Sequence, residues 1–117
     1  MVAVNQVKAK NNIDIIVFKI SGDINFESSL EIESLINTHI NNGSIFLILD
    51  LMEANLITSV GLRVFICAFK RLMTLNGKMI FVNLSPRIRQ TLEITELLNI
   101  FEIRENMDNA IKAINNE

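Results

Sequence analysis

The chain has 117 residues, half of them hydrophobic, and its 11 basic and 13 acidic side chains are scattered and give a formal net charge of -2. A chain of this size can bury one core without a metal or a disulfide, so residues 1–117 are predicted to form one domain. The lack of a basic stripe argues against nucleic acid as a partner, and no apolar run approaches the roughly 20 residues of a membrane-inserting helix.

The lone cysteine and the absence of a secretory pattern in the first residues predict a cytoplasmic location. Seven phenylalanines and no tryptophan or tyrosine accompany the high hydrophobic content. This content exceeds what one small core needs, which indicates a contact surface for another protein.

The N-terminal part of the chain predicts a β-hairpin followed by a helix. Two β-prone runs, residues 4–9 and 13–20, flank Asn11 and Asn12, which tolerate the left-handed backbone of a tight turn. Helical periodicity then extends over residues 26–40 and ends at Asn41-Asn42-Gly43, where a glycine is typical of a helix C-terminus.

Strands and helices alternate in the rest of the chain. The apolar run 45–51 is typical of a central strand covered by helices on both faces, and residues 59–75 carry the clearest helical pattern. We expect the buried side of that helix to consist of Leu62, Phe65, Ile66, Phe69, Leu72 and Met73. The next elements are a strand at 78–83 and a helix that starts at Ser85-Pro86 and is lined by Ile88, Leu92 and Thr95. The series ends with a short strand at 98–103 and a final helix capped by Asn106.

Right-handed crossovers between these elements predict a small α/β fold. Its sheet is mixed and mostly parallel, with four to five strands, an N-terminal β-hairpin and four helices.

The junction between the central strand and its following helix carries a small hydroxyl cluster. Residues 57–63 read Ile-Thr-Ser-Val-Gly-Leu-Arg, and free N–H groups and the positive dipole end at a helix start favour caps and anions. Thr58 or Ser59 could serve only as a helix cap, worth about 1 kcal/mol. Gly61 indicates either the close approach of another backbone or packing against the sheet.

Four segments in sequence resemble the STAS domain of anti-sigma factor antagonists. Residues 21–25 resemble the family's turn before the first helix. Residues 49–51 resemble its Leu-Asp-Leu strand, and residues 59–62 resemble the Ser-x-Gly-Leu loop that follows this strand. Residues 84–89 resemble its Ser-Pro helix start, and 97–103 resemble its ending. The resemblance implies a phosphorylation site at Ser59 and a partner-binding surface made of Asp23, Asn25, Thr58, Ser59, Val60, Gly61 and Arg63.

The function implied by this resemblance is a phosphorylation switch without catalysis or a cofactor of its own. The unmodified chain would bind an anti-sigma factor with a histidine-kinase-like serine kinase fold and would leave it once Ser59 is phosphorylated, thereby regulating transcription. A PP2C-type phosphatase would reverse the modification.

Three positions depart from the family pattern. Thr58 and Asn25 stand where the family has acidic residues, and Glu96 stands where a glycine usually ends the Ser-Pro helix, so that turn is expected to differ. The lost acids leave open an alternative, a STAS module that does not switch and acts as a scaffold in a stress-signalling complex or as a subunit of a lipid-transport assembly.

Other chemistry finds little support in the residues. His39 has no second His or Cys at ligand spacing, which favours a structural role, and a single histidine cannot supply a Ser-His-acid arrangement beside Ser59. Cys67 is expected in the core. Asp50 is expected inside a strand, which argues against the phosphorylated aspartate of a receiver domain.

Overall fold

The computed structural model describes all residues from Met1 to Glu117. Seven strands and four helices follow one another along the chain: β1 (Val2–Lys8), β2 (Asp14–Ile20), β3 (Gly22–Ile24), α1 (Phe26–Asn41), β4 (Phe46–Asp50), β5 (Ala54–Ile57), α2 (Ser59–Thr74), β6 (Lys78–Val82), α3 (Pro86–Ile94), β7 (Glu102–Arg104) and α4 (Met107–Ile114). No helix among them has the length and apolar character needed to cross a membrane.

The main sheet has five strands in the order β1-β2-β4-β6-β7. β1 pairs antiparallel with β2, and every other neighbouring pair is parallel. The predicted fold class is therefore confirmed, including the hairpin and the four helices. A second, two-stranded parallel sheet of β3 and β5 was not predicted, because strands of three and four residues carry too little periodicity to stand out.

The central strand β4 is buried on both faces, as its apolar run predicts. Leu47 and Leu49 belong to the larger core cluster, which α1, α2 and α3 cover. Ile48 points to the opposite face and packs in a smaller cluster with Ala110 and Ile114 of α4. The hairpin prediction is also confirmed, since both Asn11 and Asn12 have φ of 61° between β1 and β2.

Helix α2 buries a different stripe from the predicted one. Leu62, Phe65 and Leu72 are buried as expected, but Met73 is 60% exposed and Cys67 is exposed, so both predictions of burial were wrong. The reason is that α1 packs against one flank of α2. This contact extends burial to Gly61, Val64 and Ala68 and leaves Met73, on the opposite flank, in solvent. Cys67 lies on the α1 side, where it is exposed at the cleft between the two helices.

The segment predicted as a strand at 98–103 divides into two parts. Residues Leu97–Asn99 form a 3-10 turn, and only Glu102–Arg104 pair with β6. The side chains of Leu97 and Phe101, four residues apart, are buried together in the core, so the apolar run reflects a turn that packs inward. Thr95, expected on the buried side of α3, is exposed at the end of that helix.

Glu96 adopts the left-handed conformation that a glycine accepts at low cost. Its φ is 64° and its ψ is 11°, so the turn is made with a residue other than glycine in a strained backbone conformation. Replacing Glu96 by glycine should raise the free energy of unfolding by about 0.5–1 kcal/mol, because strain of about 1–2 kcal/mol is removed and part of it is offset by backbone entropy. Urea-induced unfolding measures the difference.

The matched control is Glu93→Gly, an exposed position inside α3 with the same change of side chain. This variant should lose about 1 kcal/mol, since glycine is a poor helix former. Equal losses in the two variants would mean that Glu96 is not strained.

Candidate functional site

The small β3-β5 sheet brings the starts of α1 and α2 together. In its parallel register Asp23 lies opposite Leu56 and Ile24 opposite Ile57. β3 leads directly into α1 and β5 into α2. Because parallel strands end at the same edge, Asp23 and Asn25 lie beside the Thr58-Ser59 segment, although more than thirty residues separate them in sequence.

Thr58 is the N-cap of α2, and its polar groups are used inside the protein. Its backbone N–H donates to the Ile24 carbonyl oxygen at 2.9 Å. Its hydroxyl donates to the same carbonyl at 3.2 Å and accepts from the Gly61 N–H at 3.5 Å. Thr58 therefore caps its helix and also fastens that helix to β3.

Ser59 is the first residue of α2, and its side chain is exposed and forms no hydrogen bond within the protein. Its neighbour Val60 is 37% exposed, and Arg63, one turn further along, is exposed and belongs to no ion pair. Of the two adjacent hydroxyl groups, only that of Ser59 is free to react with an approaching protein.

Gly61 is explained by packing inside the domain. A Cβ atom at this position would lie 2.7 Å from Ile24 Cγ2, 2.9 Å from Ile57 Cγ1 and 3.3 Å from the Ile24 carbonyl oxygen. Both interpretations left open by the sequence are observed, because the glycine packs against the small β3-β5 sheet and the β3 backbone approaches it at the Ile24 carbonyl. The glycine sets how closely α2, and with it Ser59, lies against β3.

Asn25 serves as the N-cap of α1 through a reciprocal capping box. Its Oδ1 accepts from the Ser28 N–H at 3.1 Å, and Ser28 Oγ accepts from the Asn25 N–H at 2.9 Å. An aspartate could cap the helix in the same way. Asn25 therefore keeps the capping function while removing a negative charge from the surface beside Ser59.

Asp23 belongs to a polar chain that the sequence did not indicate. Its Oδ1 accepts from the side-chain amide of Asn55 at 2.8 Å, and Asn55 Oδ1 accepts from Arg87 Nη1 at 3.4 Å. The chain links β3, β5 and α3 across the surface. No local pattern could reveal it, because its three members come from separate parts of the sequence.

The charge around Ser59 suits an added phosphate on the protein itself. Thr58 and Asn25 are uncharged, Arg63 lies on the same helix, and the start of α2 carries the positive end of the helix dipole. The two carboxylates whose pKa is lowered are not residues of this site. Hydrogen bonding to Lys8 lowers the pKa of Asp14, and hydrogen bonding to Lys10 lowers the pKa of Glu117.

Asp50 is the last residue of β4, and not an interior residue of the strand as expected. Its carboxylate accepts from the Met52 N–H at 3.0 Å and from Asn83 Nδ2 at 3.3 Å. Asp50 thus joins the loops that follow β4 and β6, and the structure contains no group of three acidic, His or Cys side chains that could hold a metal ion. This arrangement lacks the acidic cluster of a receiver domain.

His39 is half-buried on α1 and makes an edge contact with the Phe18 ring, with 5.7 Å between ring centroids. This contact agrees with the structural role expected for the residue.

The chain was compared with a family pattern, with curated relatives and with solved structures. The STAS domain family pattern matches residues 6–110. The anti-sigma-B factor antagonist of Listeria monocytogenes is 29% identical over 99 residues, which cover 85% of this chain and 86% of the relative.

Solved structures of the anti-sigma factor antagonist SpoIIAA share the fold. The unphosphorylated form has a TM-score of 0.73 at 17% identity, with 99% of this chain and 96% of that chain covered. The phosphorylated form from Bacillus has a TM-score of 0.74 at 18% identity, with 97% and 99% covered. Because the family pattern spans most of the sequence and the architecture agrees, the chain belongs to the STAS domain family.

Proposed function

We propose that this protein is an anti-sigma factor antagonist that binds a kinase-type anti-sigma factor while Ser59 is unmodified and releases it once Ser59 is phosphorylated. The modification state of Ser59 would thereby regulate transcription by the sigma factor. The observation that carries the proposal is the exposed and unbonded hydroxyl of Ser59 on the first turn of α2, in a STAS domain. The name of the Listeria relative supports the same class of partner.

A phosphate on Ser59 should leave the fold unchanged. The modification adds about -1.5 to -2 charge at a helix start, where the dipole is favourable, and the exposed position requires no repacking. The similar agreement of this chain with the unphosphorylated and phosphorylated SpoIIAA structures supports a switch that keeps the domain intact. The signal therefore acts on the interface and not on the folding equilibrium.

Release follows from the cost of removing a dianion from water. In the complex the partner would cover a small hydroxyl, and after modification it would have to desolvate a phosphate at the same place. Without a cation in the partner this costs several kcal/mol, and each 1.4 kcal/mol weakens binding tenfold. In the kinase step the Ser59 oxygen bonds to the γ-phosphorus of ATP, the bond to ADP breaks, and the serine proton is lost to solvent or a base of the kinase.

The direct test is to incubate the protein with candidate kinase-type anti-sigma factors and Mg-ATP, followed by intact mass measurement and peptide mapping. We expect a gain of about 80 Da, one phosphoryl group, on the peptide that contains Ser59. Ser59→Ala should remain unmodified, whereas Thr58→Val, which removes the adjacent hydroxyl, should still be modified. Phosphate on Thr58, or an acid-stable mass gain that survives Ser59→Ala, would contradict the proposal.

A second candidate function is a STAS module that does not switch, either a scaffold in a stress-signalling complex or a subunit of a lipid-transport assembly. Its specific support is the absence of a carboxylate at Asn25 and Thr58, both of which are occupied by capping contacts. Affinity purification distinguishes the two, because this alternative requires a stable partner that leaves Ser59 unmodified in the presence of ATP.

A further inference from the structure

A groove of about 280 Å³ runs between the first halves of α1 and α2, and Val60, the residue after Ser59, lines it. Phe26 and Leu30 line it on the α1 side, Val60 and Arg63 on the α2 side, and Ser29 and Val64 lie deeper. We call it the α1-α2 groove. The sequence did not indicate it, because its two walls are separated by about thirty residues.

The rim of the groove is apolar and open to solvent. Phe26 is 63% exposed, Leu30 is 52% exposed and Val60 is 37% exposed. Phe26 and Leu30 are four residues apart and therefore share one face of α1. The core-facing side of that helix is formed by Ile32, Ile36 and Ile40, so the apolar pair at the rim does not serve the domain's own core.

Polar groups in the groove lack partners within the protein. Arg63 and Glu33 stand on opposite walls, and neither takes part in any of the ion pairs. Ser29 is 1% exposed, and its hydroxyl oxygen has no hydrogen-bond partner. A buried oxygen without a partner is uncommon in proteins, so the groove combines an apolar rim with unsatisfied polar groups.

We propose that the α1-α2 groove is the docking pocket for a large apolar side chain of the anti-sigma factor, flanked in that partner by an acidic residue that pairs with Arg63. The inference rests on the proposed function. Val60 and Arg63 belong both to the groove and to the turn that carries Ser59, so a kinase that reaches the Ser59 hydroxyl must also cover this end of the groove.

This docking accounts for two features of the site. Asn25 and Thr58 are uncharged and cannot attract the partner as acidic residues would. Apolar contact in the groove supplies binding free energy in their place. Phosphate on Ser59, four residues before Arg63, would repel the partner's acid and also attract the guanidinium that this acid requires. Both effects weaken the same contact.

The partner for the test is the anti-sigma factor that modifies Ser59 in the labelling experiment. Isothermal titration calorimetry measures its binding to unphosphorylated variants of this protein. Leu30→Glu and Phe26→Ala should each weaken binding by about 30-fold, the size of an interface hot spot. Met73→Glu and Ile94→Glu are matched controls, because these apolar residues are 60% and 75% exposed at other places. The controls should change the affinity by less than about threefold.

A charge reversal tests the acidic residue. Arg63→Glu should weaken binding at least as much as Leu30→Glu, and reversal of the matching acid in the partner to arginine should restore it. Melting temperatures of all variants verify that the exposed positions tolerate the changes.

The outcomes separate this inference from the proposed function. If Leu30→Glu binds as tightly as Met73→Glu while modification of Ser59 still releases the partner, the groove is not the docking pocket and the switch stands. If modification of Ser59 releases nothing, the proposed function itself is wrong. Concentration-dependent dimers of the chain alone that Leu30→Glu abolishes would identify a second copy as the occupant, and would overturn the inference.

Discussion

Replacing Ser59 by aspartate should weaken binding to the anti-sigma factor by at least about tenfold, equivalent to 1.4 kcal/mol. Aspartate places one negative charge where the phosphate would place nearly two, so this loss is a lower bound for the modification itself. The melting temperature should change by less than about 2 °C, since surface substitutions cost little and a negative charge suits a helix start. Calorimetric titration and thermal unfolding measure the two effects.

Ser59→Asn is the matched control, because asparagine has nearly the shape of aspartate and no charge. It should retain most of the affinity, and Ser59→Ala should bind like the natural protein while accepting no phosphate. Equal weakening by asparagine and aspartate would point to steric exclusion. Undiminished binding of Ser59→Asp would refute the electrostatic mechanism of release.

Gly77→Ala should cause the largest loss of stability among single methyl additions to this protein. Gly77 follows α2, and its N–H donates to the Leu72 carbonyl oxygen at 2.8 Å. A Cβ atom there would overlap the Ile45 carbonyl oxygen and lie 2.9 Å from Ile45 Cβ. That oxygen is fixed, because it accepts from the Lys78 N–H at 2.9 Å as β6 begins.

Because backbone and not a flexible side chain blocks the added methyl group, we expect a loss of about 3 kcal/mol or more. For a domain of this size the melting temperature falls by about 10 °C. Gly43→Ala is the control: Gly43 has a φ of 95° and nothing within 4 Å of the added carbon, so only conformational strain of about 1 kcal/mol applies. Similar losses in both variants would show that β4 and β6 shift to accept the methyl group.

The switch and the stability of this protein depend on different parts of α2. Its first turn carries the exposed Ser59 and Arg63, which form part of the proposed binding surface, while Gly61 and Leu62 below them are buried. Its end is held by Gly77 against the segment that precedes β4. Substitutions at Ser59 can therefore change binding without changing folding, which makes the two large predictions independent of each other.

Local signals were sufficient for much of the architecture. Asn11 and Asn12 predict a tight turn because few residues accept left-handed backbone, and Ser85-Pro86 predicts a helix start because the cap and the proline act within one turn. The nearly continuous apolar run of β4 predicts burial on both faces. These features depend on neighbours in sequence, so the sequence alone determined the hairpin, the four helices, the fold class and the position of Ser59 at a helix start.

The tertiary structure decided everything that depends on contacts between distant segments. Thr58 is bound and Ser59 is free because the Ile24 carbonyl, 34 residues away, accepts the Thr58 hydroxyl. Met73 is exposed because α1 packs on the other flank of α2, whereas Cys67 is exposed at the cleft between the two helices. The β3-β5 sheet and the α1-α2 groove exist only once their separate strands and helices meet, and hydrophobic periodicity within one element contains no information on which element it will meet.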